Sequence, residues 1–200
     1  LDAAFEDYLA RQPQLATRLG LKQGGDRWND TSDEAARAEV EWRKASVAKM
    51  RAAFDRAKLS PEAQVNFDIW ALEAERAEVD FANRIYRPPF YSRLYSAHSQ
   101  LPDFLINTHT VQDVTDLKNY IARLRGMPAV LDLAIERTRA SQAAGINPPR
   151  FQIETIIAGS KQLTSGAPFG DGPDAALWAD VKAKTAALVT SGKLAQGEAD

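Results

Sequence analysis

The sequence predicts an all-α protein, a multi-helix array or bundle of about seven to eight helices with irregular connections rich in proline and tyrosine. Three observations predict it. Apolar side chains return at steps of three and four residues along most of the chain, the period that places them on one face of a helix. Runs of glycine, proline, asparagine and aspartate separate these segments. No stretch shows sustained strand alternation, and no fixed-period repeat stands out.

A first helix is expected over Asp2 to Arg11 ("DAAFEDYLAR"), with Phe5, Tyr8 and Leu9 on one side. Pro13 stops or bends it. The loop "GLKQGGDRWNDTS" follows, with turn chemistry at Gly24-Gly25 and Asn29-Asp30. Ser32 or Asp33 can cap the next helix, which runs to about Ala57 with Val40, Val47, Met50 and Phe54 as its buried stripe. Ser60-Pro61-Glu62 is a restart: a capping serine, proline at the first helical position and an acid favoured by the helix dipole. From there to about Arg84, Val65, Phe67, Ile69, Trp70, Leu72, Val79 and Phe81 cover more than one face. That helix is expected to be central and packed on several sides.

The segment "IYRPPFYSRLYSAHS" (85–99) breaks the rhythm at Pro88-Pro89 and concentrates Tyr86, Phe90, Tyr91 and Tyr95 with Arg87, Arg93 and His98. A short helix is expected over Leu101 to Asn107. Thr110 to Arg125 carries the stripe Val114, Leu117, Ile121 and Leu124, and Pro128 opens another helix with Leu131, Ala134, Ile135 and Thr138. In "AGINPPRFQIE" (144–154), Gly145 is placed to end that helix in a left-handed cap and Asn147 to cap the next. Pro148-Pro149 stands at the start of the new helix, where missing amide hydrogens cost little. Phe151, Ile153, Ile156, Ile157 and Leu163 lie along it. Beyond the breaker run "SGAPFGDGPD" a last helix carries Leu177, Trp178, Val181 and Leu188.

Composition bounds the function. The 200 residues suit a single helical domain or one large lobe, and 44% hydrophobic with 26% charged residues is an ordinary globular balance. Lys and Arg (25) are interleaved with Asp and Glu (27) for a net charge of -2, which argues against a nucleic-acid partner. The absence of cysteine removes disulfides, thiolate nucleophiles and cysteine-ligated metals. No apolar run approaches the roughly 20 residues of a membrane-spanning helix. Because the chain begins at Leu1 and not at methionine, a processed or omitted upstream segment is expected.

No complete catalytic constellation emerges. His98 and His109 stand too far apart for one helical ligand pair, and no HExxH motif accompanies them, so the plain reading of each is a histidine hydrogen-bonded in a loop. The acid pairs read as solvated helix faces with arginine partners, Glu73 with Arg76 and Arg76 with Asp80. "GDGPD" lacks the lysine and the preceding strand of a phosphate-binding loop. The tyrosine- and arginine-rich segment is the best local candidate for a binding surface, against the plainer reading that its tyrosines fill gaps between helices.

Two stretches, "LATRLGLKQGGDRWNDTSDEAAR" and "VTDLKNYIARLRGMPAVLDLAIERTRASQAAGINPPRFQIE", resemble the bacterial domain-of-unknown-function 885 family. The "YIARLRGMP…AGINPPR" run carries the likeness most closely. The resemblance implies a helical zinc metallopeptidase-like protein whose HExxH-like motif and acidic ligand lie in a C-terminal part, often exported and often a lipoprotein. It implies that this chain is the N-terminal lobe, with no catalytic residue, no metal ligand and no cofactor of its own; zinc and the partner domain are expected in the C-terminal part. The compartment implied is periplasmic or lipoprotein-anchored, with cytoplasmic as the alternative. In such a protein the lobe walls a cleft for peptides or peptide-like substrates, and Tyr91, Tyr95, His98 and Arg150 are the positions expected to face it. The competing expectations for Arg150 are a helix C-terminus or a neighbouring acid. The alternative for the whole chain is a self-contained helical binding module using the loop 85–99.

Overall fold

The computed structural model describes residues 2–199. Among these residues it holds nine α-helices, seven of them of seven residues or more, and no β-strand; the only strand-like feature is one isolated bridge between Ala167 and Asp174. The all-α expectation holds.

Helix α1 (Asp2–Arg11) has the bounds the sequence predicts. Pro13 ends it but also starts a short helix α2 (Pro13–Arg18), because proline at the first helical position gives up an amide hydrogen that has no partner there. Helix α1 lies on α3 (Asp33–Ala53) through a stack of Tyr8 on Trp42 at 5.8 Å, with the Arg43 guanidinium 4.6 Å over the Tyr8 ring. Ser32 caps α3, its Oγ accepting from the Ala35 amide at 3.0 Å. The helix stops at Ala53, earlier than expected. Phe54 turns into extended backbone and is 49% exposed, so only Val40, Val47 and Met50 of the expected stripe are buried.

After a 3-10 turn at Arg56–Lys58, Ser60 caps α4 (Pro61–Ala82) through the Ala63 amide. Helices α3 and α4 form a hairpin with its own small core of Val47, Met50, Phe67 and Ala74. Helix α4 is not central. It buries Phe67 and Ala74 against α3, while Val65, Ile69, Leu72 and Val79 are exposed. Apolar residues on several faces do not require several packing partners; they state only which faces are free to be covered.

The central element is α6 (Val114–Ala143), one continuous helix where two were expected. Pro128 sits inside it and withholds one hydrogen bond from the helix ladder, a cost of about 3 kcal/mol. Burial on both sides of the break, by Leu117, Tyr120 and Met127 on one side and Ala134 on the other, keeps the axis going. Helix α5 (Ala97–Asp103) starts earlier than expected and passes through Pro102 into a π-helical turn at Phe104–Thr108. Gly145 ends α6 at φ +80°, the left-handed cap the sequence indicates. Asn147 does not cap the next helix: Pro149 is the N-cap of α7 (Arg150–Gln162), with no side-chain bond. Helices α8 (Ala176–Thr190) and α9 (Gln196–Ala199) complete the chain.

Helix α6 joins two cores. Tyr120 and Met127 pack with Leu101 and Leu105, while Leu117 packs with Leu188 and Leu194. Its C-terminal half holds the hairpin through Ser141, which donates to the Ile85 carbonyl at 2.7 Å, and Arg137, which donates to the Thr31 carbonyl at 3.1 Å.

Candidate functional site: a buried polar network and an apolar cavity

Two faces of α6 carry the chemistry. On one, Tyr120, Arg123 and Met127 follow at steps of three and four and are all buried. The Arg123 side chain is fully enclosed. Its Nε donates to the Arg27 carbonyl at 2.9 Å. Its Nη2 reaches Thr17 Oγ1 at 2.8 Å and the Pro13 and Gly24 carbonyls at 3.3 and 3.2 Å. Its Nη1 donates to His109 Nδ1 at 2.9 Å. The faces of Trp28 and Phe104 lie 5.7 and 5.0 Å from the guanidinium. Residues 19–32 have no helical ladder to absorb their carbonyls, and the guanidinium, with donors in a fixed fork, satisfies several at once. Burial pushes the Arg123 pKa down to about 10, with Asp26 acting to hold it up.

His109 receives the Arg123 bond at Nδ1, so Nε2 carries the proton and donates to the Asp116 carbonyl at 3.1 Å. Burial holds its pKa below the usual value. Tyr120 stands edge-on to the His109 ring and donates to Asp180 at 2.9 Å. Its hydroxyl is pushed well above the usual phenol range, by burial first and by the bond to Asp180 second. Lys184, paired with Asp180 at 2.8 Å, donates to the Leu105 and Ile106 carbonyls of the π turn. At the outer edge Lys22 bridges Asp113 at 2.6 Å and Asp116 at 3.1 Å; Asp113 is held below the usual carboxylate range chiefly by that lysine. The groups of this network are bonded to one another, and its work is to fasten the loop 19–32, the π turn and α8 onto α6.

The other face of α6 is different. Ile121, Leu124, Pro128, Leu131 and Ile135 recur at three and four residues and wall a cavity of 770 Å³. Leu177, Trp178 and Val181 of α8 close one side, and Ser160 of α7 with Leu163, the residue that caps its C-terminus, another. The loop carrying Pro168 and Phe169 forms the rim. Gly166 shapes that loop: at φ +80°, a Cβ there would stand 1.9 Å from the Pro173 carbonyl oxygen, so no other residue fits. No charged side chain lines the cavity. Its two hydroxyl groups are turned into helix backbone, Ser160 onto the Ile156 carbonyl and Thr164 onto the Lys161 carbonyl. His98 is the remaining polar group of the wall, 6% exposed, with Nδ1 buried and without a hydrogen-bond partner. Burial holds its pKa below the usual histidine value and keeps the ring neutral. A recess of 580 Å³ between α1, α3 and α4 is walled instead by charges already paired, among them Arg43 with Glu39, Arg76 with Glu73, and Arg87 with Asp80. Asp80 therefore takes Arg87 and not the Arg76 expected from spacing.

The four residues expected to face a cleft differ in their surroundings. Tyr91 and Tyr95 are exposed, at 51% and 76%, whereas His98 is buried in the cavity wall. Arg150 projects into solvent and pairs with Glu154 at 2.8 Å, the neighbouring acid that was its competing expectation. His109 fulfils the hydrogen-bonded reading and His98 departs from it, standing in α5 with Nδ1 unsatisfied. Arg123 went unnoticed, though an arginine spaced three from a tyrosine and four from a methionine on an apolar helix was the available signal. Among the described residues no group of three or more His, Cys, Asp or Glu side chains could hold a metal ion, and His109 has both nitrogens engaged. These residues do not fit a zinc ion.

Fold and site together define an all-α helical array built on one long helix, with a structural polar network on one face and an apolar cavity on the other. The sequence matches the family described as bacterial protein of unknown function (DUF885) over residues 13–199, and the chain belongs to that family. No curated protein and no solved structure matches it. No helix among the described residues is long and apolar enough to cross a membrane.

Proposed function

We propose that the chain is the N-terminal helical lobe of an exported zinc-metallopeptidase-like protein acting on peptides, a scaffold and cleft wall that is not catalytic by itself. The observation that carries this reading is the uncovered stripe of α4. Val65, Ile69, Leu72 and Val79 recur at helical spacing and are between 44% (Leu72) and 58% (Val79) exposed. An apolar stripe of that length on a helix already paired along its other side fits a surface meant for a further protein layer. The lobe's own C-terminal domain is the layer the family resemblance supplies. The buried network supports a scaffold role, because it spends polar groups on holding irregular backbone in place.

Zinc content and peptide cleavage, measured on this chain and on the full-length parent protein, test the reading. Zinc and metal-dependent cleavage in the longer protein only is the expected result. Neither in either protein would overturn it. A second reading, a self-contained binding module, is favoured by the exposure of Tyr86, Leu94 and Tyr95, at 63%, 70% and 76%, in the loop 85–99. On that reading a Tyr91→Ala/Tyr95→Ala double variant loses binding to a partner protein while zinc and cleavage are absent throughout.

A further inference from the structure

We propose that the cavity between α6, α7 and α8 is a binding site for a neutral, largely apolar small molecule bearing one hydrogen-bonding group, which meets the imidazole of His98. Three observations converge on that chemistry. A volume of 770 Å³ lies within the roughly 300–1,000 Å³ that holds small-molecule ligands, and the walls are almost wholly hydrocarbon. No lining group carries charge to compensate an ion, and Lys182, over the Trp178 ring, is already paired with Asp174. A carboxylate or ammonium entering here would be desolvated with nothing to pair it.

The polar complement is equally specific. Ser160 and Thr164 are committed to helix carbonyls, which leaves His98 as the group with hydrogen-bonding capacity unspent. Nδ1 is shielded from the empty cavity, so a ligand hydroxyl or carbonyl bonds the imidazole after a small rotation of the ring and relieves a buried polar atom that has no partner. Glycine at 159 lets α7 lie against the ring undisturbed: a Cβ there would stand 3.3 Å from His98 Nε2, close enough to push the imidazole by a few tenths of an ångström. Phe90 covers the ring, with centroids 6.2 Å apart. The inference does not depend on the metallopeptidase reading, since the cavity is built entirely from this chain.

Calorimetric titration of the protein at about pH 7.5 with 2-naphthol, which is neutral and carries one hydroxyl, tests the proposal. The comparison compounds are 2-naphthoate, with the same rings and a carboxylate, and naphthalene, with no polar group. Saturable binding of 2-naphthol is expected, with 2-naphthoate weaker by roughly tenfold or more. Leu131→Trp, which fills the cavity, should abolish binding. Ile135→Trp should do the same from a position that is 39% exposed, where a larger ring is accommodated without loss of fold, as circular dichroism would verify. His98→Phe should weaken 2-naphthol to the level of naphthalene and leave naphthalene unchanged. Absence of saturable binding, 2-naphthoate binding as tight as 2-naphthol, or binding that survives both tryptophan variants would each overturn the proposal.

Discussion

His109 and His98 are buried in adjoining regions against the same long helix, and they differ in how they are satisfied. His109 donates from Nε2 to the Asp116 carbonyl and accepts at Nδ1 from Arg123, while Nδ1 of His98 has no partner at all. The difference follows from what each region must close. Around His109 the neighbours are irregular backbone, the loop 19–32 and a π turn, whose carbonyls need donors once water is excluded. Arg123 and Lys184 supply them. Around His98 the helices α6, α7 and α8 satisfy their own backbone, and they, Phe90 and the rim loop face the ring chiefly with hydrocarbon, so space remains between the walls. Polar cross-linking accompanies structure that is fixed, and an unspent polar group accompanies structure that is open to a ligand.

Several substitutions break or sharpen this contrast. Arg123→Met has the largest expected effect. It leaves the Arg27 carbonyl and His109 Nδ1 without donors and takes a bond from the Pro13 and Gly24 carbonyls, which keep the Thr17 hydroxyl and the Arg27 amide, and a loss of roughly 3 kcal/mol or more in urea unfolding is expected. A loss below about 1 kcal/mol would mean that the network is ornamental. Gly166→Ala comes next. Positive φ and the Pro173 oxygen leave no room for a methyl group, so a loss of about 2 kcal/mol is expected, with faster proteolysis between residues 165 and 174. Equal protease resistance would show that the cavity rim tolerates rearrangement.

A smaller effect is expected from pH. Burial depresses both histidine pKa values below 6.5; for His109 the Asp116 carbonyl and carboxylate oppose this, and the Arg123 and Lys184 charges reinforce it. The unfolded chain then binds more protons than the folded one as pH falls below 6.5, so stability is complete above that value and declines beneath it. Urea midpoints at about pH 7.5 and 5.5 should show the decline, reduced in His98→Phe, which removes one of the two groups. A midpoint independent of pH in this window would contradict the burial assigned to both rings.

Much of the fold was legible because its signals are local. The caps at Ser32 and Ser60, the left-handed Gly145 and the bounds of α1 depend on neighbours within a few residues. The errors lie where tertiary packing decides. Pro128 reads as a helix start, yet the buried faces on either side of it carry α6 through. The apolar faces of α4 read as a central helix, yet in this chain only one of them is covered. Phe54 left its stripe because the helix ended one residue before it. The polar network was the least legible part. Arg123 meets partners near residues 13–27, a separation no periodicity reports, although "YIARLRGMP", the run that carried the family resemblance, contains both Tyr120 and Arg123. The cavity stripe of Ile121, Leu124, Leu131 and Ile135 was visible in the sequence as two helix faces. That the two join as one wall, and that the wall faces empty space, is a property of the packed helices alone.

The most direct test of the contrast is a matched pair of urea unfolding curves at about pH 7.5, one for His109→Phe and one for His98→Phe. Replacing His109 strands an Arg123 donor and removes the extra donor to the Asp116 carbonyl, an acceptor of the α6 ladder, and a loss of about 2 kcal/mol is expected; replacing His98 removes an unsatisfied nitrogen and should leave stability unchanged or raise it by up to about 1 kcal/mol. Equal losses from the two substitutions would contradict the account, because both histidines would then be holding the fold together and neither would be free to meet a ligand.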